Sequence, residues 1–257
     1  MPSSNGGCTT PPMPDCAQQH AEGDAFEPDE CPSLAKVIVP GQPPQTRGIS
    51  PVADEDWLRV SAERGQVLRL AIAGASYPIR IEVFELDAVT PVAADERGLI
   101  NPIFTFHAPN SQGLLVRLRA LRTNEAGPYT VQVDVLGFDD FPNDATAAPR
   151  LAVDAVFEGG AQYAGDVDFA TITVAQGRAY EVALSLTSIN LPAGVARQVT
   201  TSGLSARVSV FDASGSVLLA GPQSLSLTYT PAVSGAFFVR VQATNMNALG
   251  AYTVRVN

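Results

Sequence analysis

The chain has 257 residues and a mass of 26.9 kDa, which is enough for two ordinary β domains. Its formal net charge is −10 and its only lysine is Lys36, so it lacks the basic clusters with which proteins bind nucleic acid or anionic membranes. No stretch approaches the roughly 18 apolar residues of a membrane helix. We therefore predict no nucleic-acid partner and no membrane span.

The first segment, residues 1–23, is rich in Ser, Gly, Pro and Thr, a composition typical of a flexible arm. No signal peptide is visible in it. The three cysteines of the chain are Cys8, Cys16 and Cys31. We expect one disulfide, either Cys16 to Cys31 or Cys8 to Cys31, and the spacing does not decide between them.

From residue 24 onward, apolar and polar residues alternate over many short runs, and clusters of Gly, Pro, Asn and Asp separate the runs. The clearest examples are residues 68–72, 79–83, 116–120, 129–135, 180–186 and 225–229. A period of two is that of a half-buried strand, and no long stretch shows the period of an amphipathic helix. The pattern predicts an all-β protein with antiparallel β-sandwiches.

The same landmarks occur twice in the same order. The segment 54–57, Asp-Glu-Asp-Trp, returns as 166–169, Asp-Val-Asp-Phe, and Gly65 returns as Gly177 at the same offset of 112 residues. Nearer the ends, Tyr129-Thr130-Val131 matches Tyr252-Thr253-Val254 at an offset of 123, so the second copy has a longer middle, which we place around residues 190–203. We predict two tandem sandwiches, 24–137 and 138–257, joined by a short linker.

These landmarks resemble the bacterial pre-peptidase C-terminal domain family over about residues 24–257. The motifs that carry the likeness are Glu27-Pro28-Asp29-Glu30, Asp54-Glu55-Asp56-Trp57 and Gly127-Pro128-Tyr129 in the first copy, and Pro142-Asn143-Asp144, Asp166-Val167-Asp168-Phe169, Phe211-Asp212-Ala213-Ser214-Gly215 and Gly250-Ala251-Tyr252 in the second. The resemblance implies jelly-roll-like sandwiches, export from a bacterium and attachment to secreted hydrolases. The first copy departs from the family pattern, with Leu86-Asp87 as its nearest equivalent of the Asp-x-x-Gly hairpin.

Related collagen-binding domains of clostridial collagenases bind calcium and fibrous substrate, so the resemblance implies calcium ligands in the acidic opening turns and the Asp-x-Asp strand starts. The candidates are Glu27, Asp29, Glu30, Asp54 and Asp56 in the first copy, and Asp139, Asn143, Asp144, Asp166 and Asp168 in the second. Ala25 and Phe141 stand where the calcium binders carry further carboxylates. The alternative is that these acids are solvated turn residues.

Catalysis is not expected. The two histidines are His20, in the arm, and His107, in a strand-like run. No Gly-x-Ser-x-Gly motif is present, and zinc would need more His or Cys than the folded part contains. We expect neither catalytic residues nor a cofactor other than calcium.

Two aromatic residues, Phe84 and Phe238, fall on the polar phase of their strands. They are candidates for surface aromatics that stack on sugar rings or dock on a partner, although a second sheet or the sister domain could equally cover them.

Together these patterns predict a secreted, extracellular or cell-surface bacterial protein that is not an enzyme and that binds an extracellular polymer or protein surface. One alternative is a structural spacer or subunit of a cell-surface assembly, and another is an unrecognised hydrolase. The sequence leaves the oligomeric state and the identity of the ligand open.

Overall fold

The computed structural model describes residues 23–154, 156–187, 205–244 and 249–257. Within these ranges the chain is nearly all β, which confirms the predicted fold class. The predicted arm, with Cys8, Cys16 and His20, lies outside the described residues except for Gly23, and so does the predicted longer middle at 190–203. The strands are β1 (Lys36–Ile38), β2 (Gln45–Ile49), β3 (Glu55–Val60), β4 (Gln66–Ala73), β5 (Ile79–Glu85), β6 (Pro91–Leu99), β7 (Ile103–His107), β8 (Leu114–Ala120), β9 (Gly127–Phe138), β10 (Arg150–Leu151), β11 (Val156–Ala161), β12 (Val167–Val174), β13 (Tyr180–Thr187), β14 (Ala206–Phe211), β15 (Leu218–Gln223), β16 (Ser226–Tyr229), β17 (Gly235–Ala243) and β18 (Gly250–Val256). Two short 3-10 helices span Pro32–Leu34 and Ala145–Ala147.

The alternation in the sequence becomes the two faces of each strand. In β17, for example, Phe237, Val239 and Val241 are buried, whereas Arg240 and Gln242 between them are partly exposed. Because successive side chains of a strand point to opposite faces, one apolar face packs inward and the other remains available to solvent or to further packing.

The first sandwich consists of two sheets, with strand orders β1-β3-β8-β5-β6 and β2-β9-β4-β7. The edge strand β1 pairs with β3 in parallel, whereas the neighbouring pairs β3–β8, β8–β5 and β5–β6 are antiparallel. Leu58, Ile81 and Leu118 from the first sheet and Leu70 and Val131 from the second are fully buried.

The second sandwich repeats this plan with sheets β10-β12-β17-β14-β15 and β11-β18-β13-β16. Again a short edge strand, β10, pairs in parallel with the strand that carries the Asp-x-Asp start. One continuous core joins both sheets, with Val208 and Val239 from one and Leu184, Tyr252 and Val254 from the other. The repeat in the sequence is thus a repeat of sheet topology.

Contacts between residues divide the chain into two compact units, and the division falls after Asp134. The second unit begins at Val135 and also includes Gly65–Arg69 and Ile103–His107. The limits of the two domains at 137 and 138 stay a prediction.

Two leucines of the second sandwich test this account of the core. Leu184 is 3% exposed and belongs to the core cluster, whereas Leu225 is 70% exposed, although the carbonyl of Leu225 accepts a hydrogen bond from the amide of Leu184. We expect Leu184→Ala to lower the free energy of unfolding by about 2–5 kcal/mol, because it leaves a cavity. Leu225→Ala should change it by about 0.5 kcal/mol or less. Urea unfolding of both variants measures the difference, and equal losses would contradict the assigned core.

Candidate metal centres

Three carboxylates of the first sandwich converge at one point. Asp24 and Glu27 lie in the segment before β1, and Asp56 is the second residue of β3. One oxygen of each lies within 4.8 Å of the corresponding oxygens of the other two. Asp56 is 0% exposed. We call these three residues the first carboxylate cluster.

Specific donors hold these side chains in place. Asp24 accepts hydrogen bonds from the amides of Phe26 and Gly48, each at 2.6 Å. Glu27 accepts one at Oε2 from the amide of Asp29 at 3.2 Å, and Asp56 accepts one at Oδ2 from the hydroxyl of Tyr129 in the opposite sheet. Glu27 Oε1 and Asp56 Oδ1 are buried and have no hydrogen-bond partner among the described residues. Each cluster member is therefore fixed, and two buried acceptor oxygens remain unsatisfied.

The second sandwich has a second carboxylate cluster, made of Asp139, Asp140 and Asp168, with the same oxygen spacing of 4.8 Å or less. Asp168 Oδ2 accepts a hydrogen bond from the hydroxyl of Tyr252 at 2.5 Å, and Asp139 Oδ2 accepts one from Asn143 Nδ2 at 2.8 Å. The other oxygens of Asp139 and Asp168 are buried and lack a partner in the described part of the chain. The cluster has the same shortage of donors as the first.

The two clusters are structurally equivalent at two of three positions. Asp56 and Asp168 occupy the same place in their strands and bind equivalent tyrosines across the sandwich. Asp24 and Asp140 both accept a hydrogen bond from the backbone of an equivalent glycine, Gly48 in the first copy and Gly160 in the second.

The third carboxylate comes from a different place in each copy: Glu27 follows Asp24 in the first, whereas Asp139 precedes Asp140 in the second. Because the two opening segments supply this oxygen in different ways, the shared feature is the group of oxygens and not the motif.

The other acid of each Asp-x-Asp start lies beside its cluster. Asp54 Oδ2 accepts a hydrogen bond from the amide of Ser50 at 2.8 Å, and Asp166 Oδ2 accepts one from the amide of Gln162 at 2.7 Å. Both aspartates are buried, and Asp166 Oδ1 has no partner among the described residues. These acids order the loop before the strand and add negative charge to the site.

The copies differ in one cation. In the first, Arg47 on β2 is buried, pairs with Asp29 and lies 4.1 Å from the centre of the Phe26 ring. Arg47 is paired in the β2–β9 ladder with Tyr129, and the residue paired with Tyr252 in the second copy is Gly159. Among the described residues, the position of Arg47 is therefore occupied by a glycine in the second copy.

Burial and mutual repulsion raise the pKa values of the first cluster. Burial is the main cause that raises the pKa of Glu27 to about 8, and the charges of Asp29, Asp54 and Glu30 add to it. Burial, followed by the charge of Asp29, raises the pKa of Asp56 to about 9. Even Asp29 has a pKa raised to about 6 by burial, although Arg47 opposes the shift.

The second cluster shows the same shifts. Burial raises the pKa of Asp168 to about 10, and the charge of Asp166 contributes. Burial raises the pKa of Asp166 to about 8 and that of Asp139 to about 6, and Asp140 also has a raised pKa. A site that disfavours its own carboxylate charges in this way favours a bound cation, because a cation supplies the missing electrostatic compensation.

The remaining residues of the predicted ligand set have other places. Glu30 lies next to the first cluster, where its charge raises the pKa of Glu27. Asn143 donates to Asp139 and accepts from the hydroxyl of Tyr163 at 2.5 Å. Asp144 is exposed, and it caps the 3-10 helix at Ala145–Ala147 by accepting a hydrogen bond from the amide of Thr146 at 2.8 Å.

Two cluster members, Asp24 and Asp140, were not in the predicted set. Asp24 directly precedes Ala25, and Asp140 directly precedes Phe141. At Ala25 and Phe141 the calcium-binding pattern has a carboxylate that this chain lacks. The adjacent acid in each opening segment was the available signal.

The other predicted features fall apart from the clusters. Cys31 is buried and disulfide-bonded, and its partner lies outside the described residues. Phe84 is partly exposed, with its ring 5.6 Å from Trp57, and Phe238 is partly exposed, with its ring 6.5 Å from Phe169. His107 is partly buried at the end of β7, and burial lowers its pKa.

No family model and no curated protein matches the chain. Among solved structures, the chain is similar to the pre-peptidase C-terminal domain of a collagenase from Bacillus anthracis, with 14% identity and a TM-score of 0.31 over 46% of this chain and 100% of that one. It is also similar to the CBM22-1-CBM22-2 tandem domain of Xyn10C from Paenibacillus barcinonensis, with 10% identity and a TM-score of 0.30 over 84% and 87% of the two chains. The CUB1-EGF-CUB2 domains of human MASP-1/3 match with 10% identity and a TM-score of 0.23 over 85% and 97%. At these identities the likeness is one of fold alone.

No helix in the described part of the chain has the length and apolar character that a membrane crossing requires.

The raised pKa values predict how the metal-free protein responds to pH. The folded state keeps protons on Asp56 and Asp168 up to about pH 9 and about pH 10, whereas the unfolded chain releases them near the ordinary carboxyl value of about 4. Because the folded state binds more protons across this window, the free energy of unfolding falls as the pH rises through it. Melting in EDTA should therefore give a higher Tm at pH 5 than at pH 9.

The double variant Asp56→Asn/Asp168→Asn provides the comparison for this measurement. Neutral amides at these positions should flatten the decline in Tm between pH 5 and pH 9. A wild-type Tm that rises with pH over this interval would contradict the buried-carboxylate account.

Proposed function

We propose that this chain is a non-catalytic, secreted accessory module of a bacterium, and that each of its sandwiches holds a calcium ion at its carboxylate cluster. In this proposal the ions stabilise the sandwiches, and the module binds an extracellular polymer or protein surface. The observation that carries the metal part is the recurrence, in both copies, of three convergent carboxylates with buried oxygens that lack hydrogen-bond donors.

The chemistry of the donors favours calcium over transition metals. The described ligand atoms are all carboxylate oxygens, and calcium takes six to eight oxygen ligands at about 2.3–2.6 Å. Two oxygens on opposite sides of such an ion are roughly 4.8 Å apart, and the cluster oxygens lie within 4.8 Å of one another. Zinc prefers His and Cys ligands, and neither cluster contains them.

Neutral oxygens are also at hand for the remaining coordination positions. In the second copy, Gln162 Oε1 is buried and has no partner among the described residues. In the first copy the equivalent residue is Ser50, whose carbonyl oxygen borders the space next to Gly23. A Cβ on Gly23 would stand 3.1 Å from that oxygen and 2.8 Å from Glu27 Oε1. Water and both oxygens of a carboxylate can complete such a shell.

A cation at each cluster would link parts of the chain that are distant in sequence. In the first copy it would join the opening segment to β3, and through Asp56 and Tyr129 it would join the two sheets. The expected role is rigidity, because the carboxylates that repel one another without the ion become its ligands. Such a role stabilises a binding surface without taking part in chemistry.

The test is thermal unfolding in EDTA and then in calcium, followed by calorimetric titration. A ligand that binds only the folded state stabilises it by about 2.7 kcal/mol at a concentration of about one hundred times Kd. We expect calcium to raise the Tm, and titration to show two sites per chain. No rise in Tm and no binding heat would remove the metal part of the proposal.

Single variants assign the sites to their copies. Asp56→Asn and Asp168→Asn should each remove one calcium site, and each should raise the Tm in EDTA near neutral pH, because the folded state then no longer has to take up a proton at a buried carboxyl whose pKa is raised. This opposite effect in the presence and absence of calcium is the signature of a ligand, since a merely structural carboxylate would lose stability in both conditions.

The matched control is Glu158→Gln, which removes an exposed charge from β11. It should leave both the calcium shift and the metal-free Tm unchanged, because exposed single charges contribute little. Loss of a calcium site in this variant would show that net charge, and not the cluster, governs binding.

A further inference from the structure

The outer face of the sheet β10-β12-β17-β14-β15 carries an unusual set of side chains. Core residues such as Val210 and Val239 point inward, so their strand neighbours point to the other face. Phe169, Phe211 and Phe238 lie there, and their rings contact one another at centroid distances of 6.1 Å and 6.5 Å. Phe169 and Phe211 are 8% and 7% exposed, and Phe238, which packs against Phe169, is the partly exposed ring of the three.

Arginine is the charged residue on this face. Arg240 lies with its guanidinium carbon 4.7 Å from the centre of the Phe211 ring. Its Nε is buried and has no hydrogen-bond acceptor among the described residues. Arg207, on the neighbouring strand β14, and Arg150, on β10, are exposed. The last of these donates to Thr173 Oγ1 at 2.7 Å, and none of the three has an acidic partner in the described part of the chain.

Acidic residues are missing from the same region. The five strands of this sheet contain one acid, Asp168, and it belongs to the second carboxylate cluster. From Val182 to Asn257 the sequence contains four arginines and one acid, Asp212. The Oδ1 atom of Asp212 is used within its own turn, where it accepts hydrogen bonds from Ser214 Oγ at 2.7 Å and from the amide of Val217 at 3.1 Å. A protein of net charge −10 thus has a locally cationic face.

The first sandwich provides an internal reference for this face. There Arg117 occupies the position of Arg240, but it pairs with Glu82 at 2.8 Å and with Glu55 at 3.5 Å. Glu82 also pairs with Arg119 at 3.2 Å and Arg80 at 3.3 Å.

In the second sandwich, neutral residues replace both acids. The strand register places Ser209 at the position of Glu82 and Val167 at that of Glu55. The acids that neutralise Arg117 are therefore replaced around Arg240, while the arginine itself is kept.

We propose that this arginine–phenylalanine face, formed by Phe169, Phe211, Phe238, Arg207 and Arg240, binds an acidic polysaccharide through the carboxylates of its uronic acid residues. The proposal deepens the binding part of the proposed function and does not depend on calcium. The planar guanidinium matches a carboxylate in two parallel hydrogen bonds. The ring of Phe238 is partly exposed, and Leu218, which is paired with Phe211 in the β14–β15 ladder, is 47% exposed. These two side chains offer an apolar surface on which a sugar ring can rest.

Charge and shape together select this occupant. A neutral sugar would offer no anion to Arg207 and Arg240, which have no acidic partner in the described part of the chain. A polymer with one carboxylate per apolar-faced ring satisfies both the arginines and the phenylalanines.

The experiment is calorimetric titration of the full chain with oligogalacturonate and with its methyl ester, which is the same sugar chain without the charges. EDTA is present, and the temperature is held below the metal-free Tm, so that calcium neither bridges the ligand to the clusters nor gels it. We expect binding to the free acid alone, weakened by salt. Equal binding of the ester, or no binding of the acid, overturns the proposal. If polyglutamate binds as tightly as oligogalacturonate, the choice of a polysaccharide as the ligand is overturned.

Variants locate the site on the molecule. Arg240→Gln should lower the affinity about tenfold or more, in line with the loss of a charged hydrogen bond, and Phe238→Ala should also weaken binding. Ser209→Glu, which gives Arg240 the partner that Arg117 has, should abolish binding while keeping the arginine. If affinity survives in both Arg240→Gln and Ser209→Glu, the face is not the site.

Arg255→Gln is the control, since it removes an exposed arginine from β18 in the other sheet. It should bind with the affinity of the wild type. An equal loss in this variant would show that general positive charge is responsible and would overturn the assignment to this face. Calcium titration without any sugar is a separate measurement, so failure of the metal sites and failure of this face are distinguishable.

Discussion

A buried aspartate that accepts a hydrogen bond from a tyrosine of the opposite sheet is the interaction on which each sandwich depends. In both copies the aspartate begins a central strand of one sheet, and the tyrosine lies on a central strand of the other. The bond satisfies one carboxylate oxygen and leaves the second buried without a donor. A charge in such a place is unfavourable unless something compensates it. The fold thereby creates, at a fixed point between its sheets, a demand for positive charge.

The two copies share this buried aspartate and its tyrosine partner, but they differ in the charged residues that surround them. In the first sandwich Arg47 already compensates Asp29, and on the outer face Arg117 is neutralised by Glu82. In the second sandwich the corresponding positions are Gly159 and Ser209, so neither pair exists. Both clusters keep buried oxygens that have no donor among the described residues, but only the first copy has Arg47 beside its cluster and Glu82 beside its outer-face arginine. Because core and topology are shared, this difference is one of surface chemistry and not of fold.

The sequence was sufficient for the fold and for two of the three members of each cluster. Alternation is a local signal, so strands such as β9 and β18 were predictable. The duplicated landmarks also identified Asp56 and Asp168 as equivalent residues of the two copies. Asp24 and Asp140 were missed because they are 116 residues apart, whereas the strand starts are 112 apart, so the repeat does not align them. Their convergence with the strand aspartates depends on backbone amides of Gly48 and Gly160, which only the three-dimensional structure brings near.

For a related reason, the sequence could not predict whether the outer-face arginines have acidic partners. Whether Arg240 has an acidic partner depends on which residue of the next strand lies beside it, and that register is a tertiary property. Phe238 was predicted as a candidate surface residue from strand phase alone, which a single strand suffices to show. Sequence patterns thus predict which face a side chain is on, but not which neighbours it has there.

Gly159 leaves no room for a side chain beside Tyr252 as it stands in the second copy. A Cβ at this position would stand 2.5 Å from the hydroxyl of Tyr252, so any side chain there displaces the tyrosine that binds Asp168. In the first copy Arg47 occupies the equivalent place and Tyr129 keeps its hydrogen bond to Asp56, so the close fit at Gly159 is particular to the second copy. The hydrogen bond between the sheets of the second copy is therefore sensitive to any substitution at Gly159.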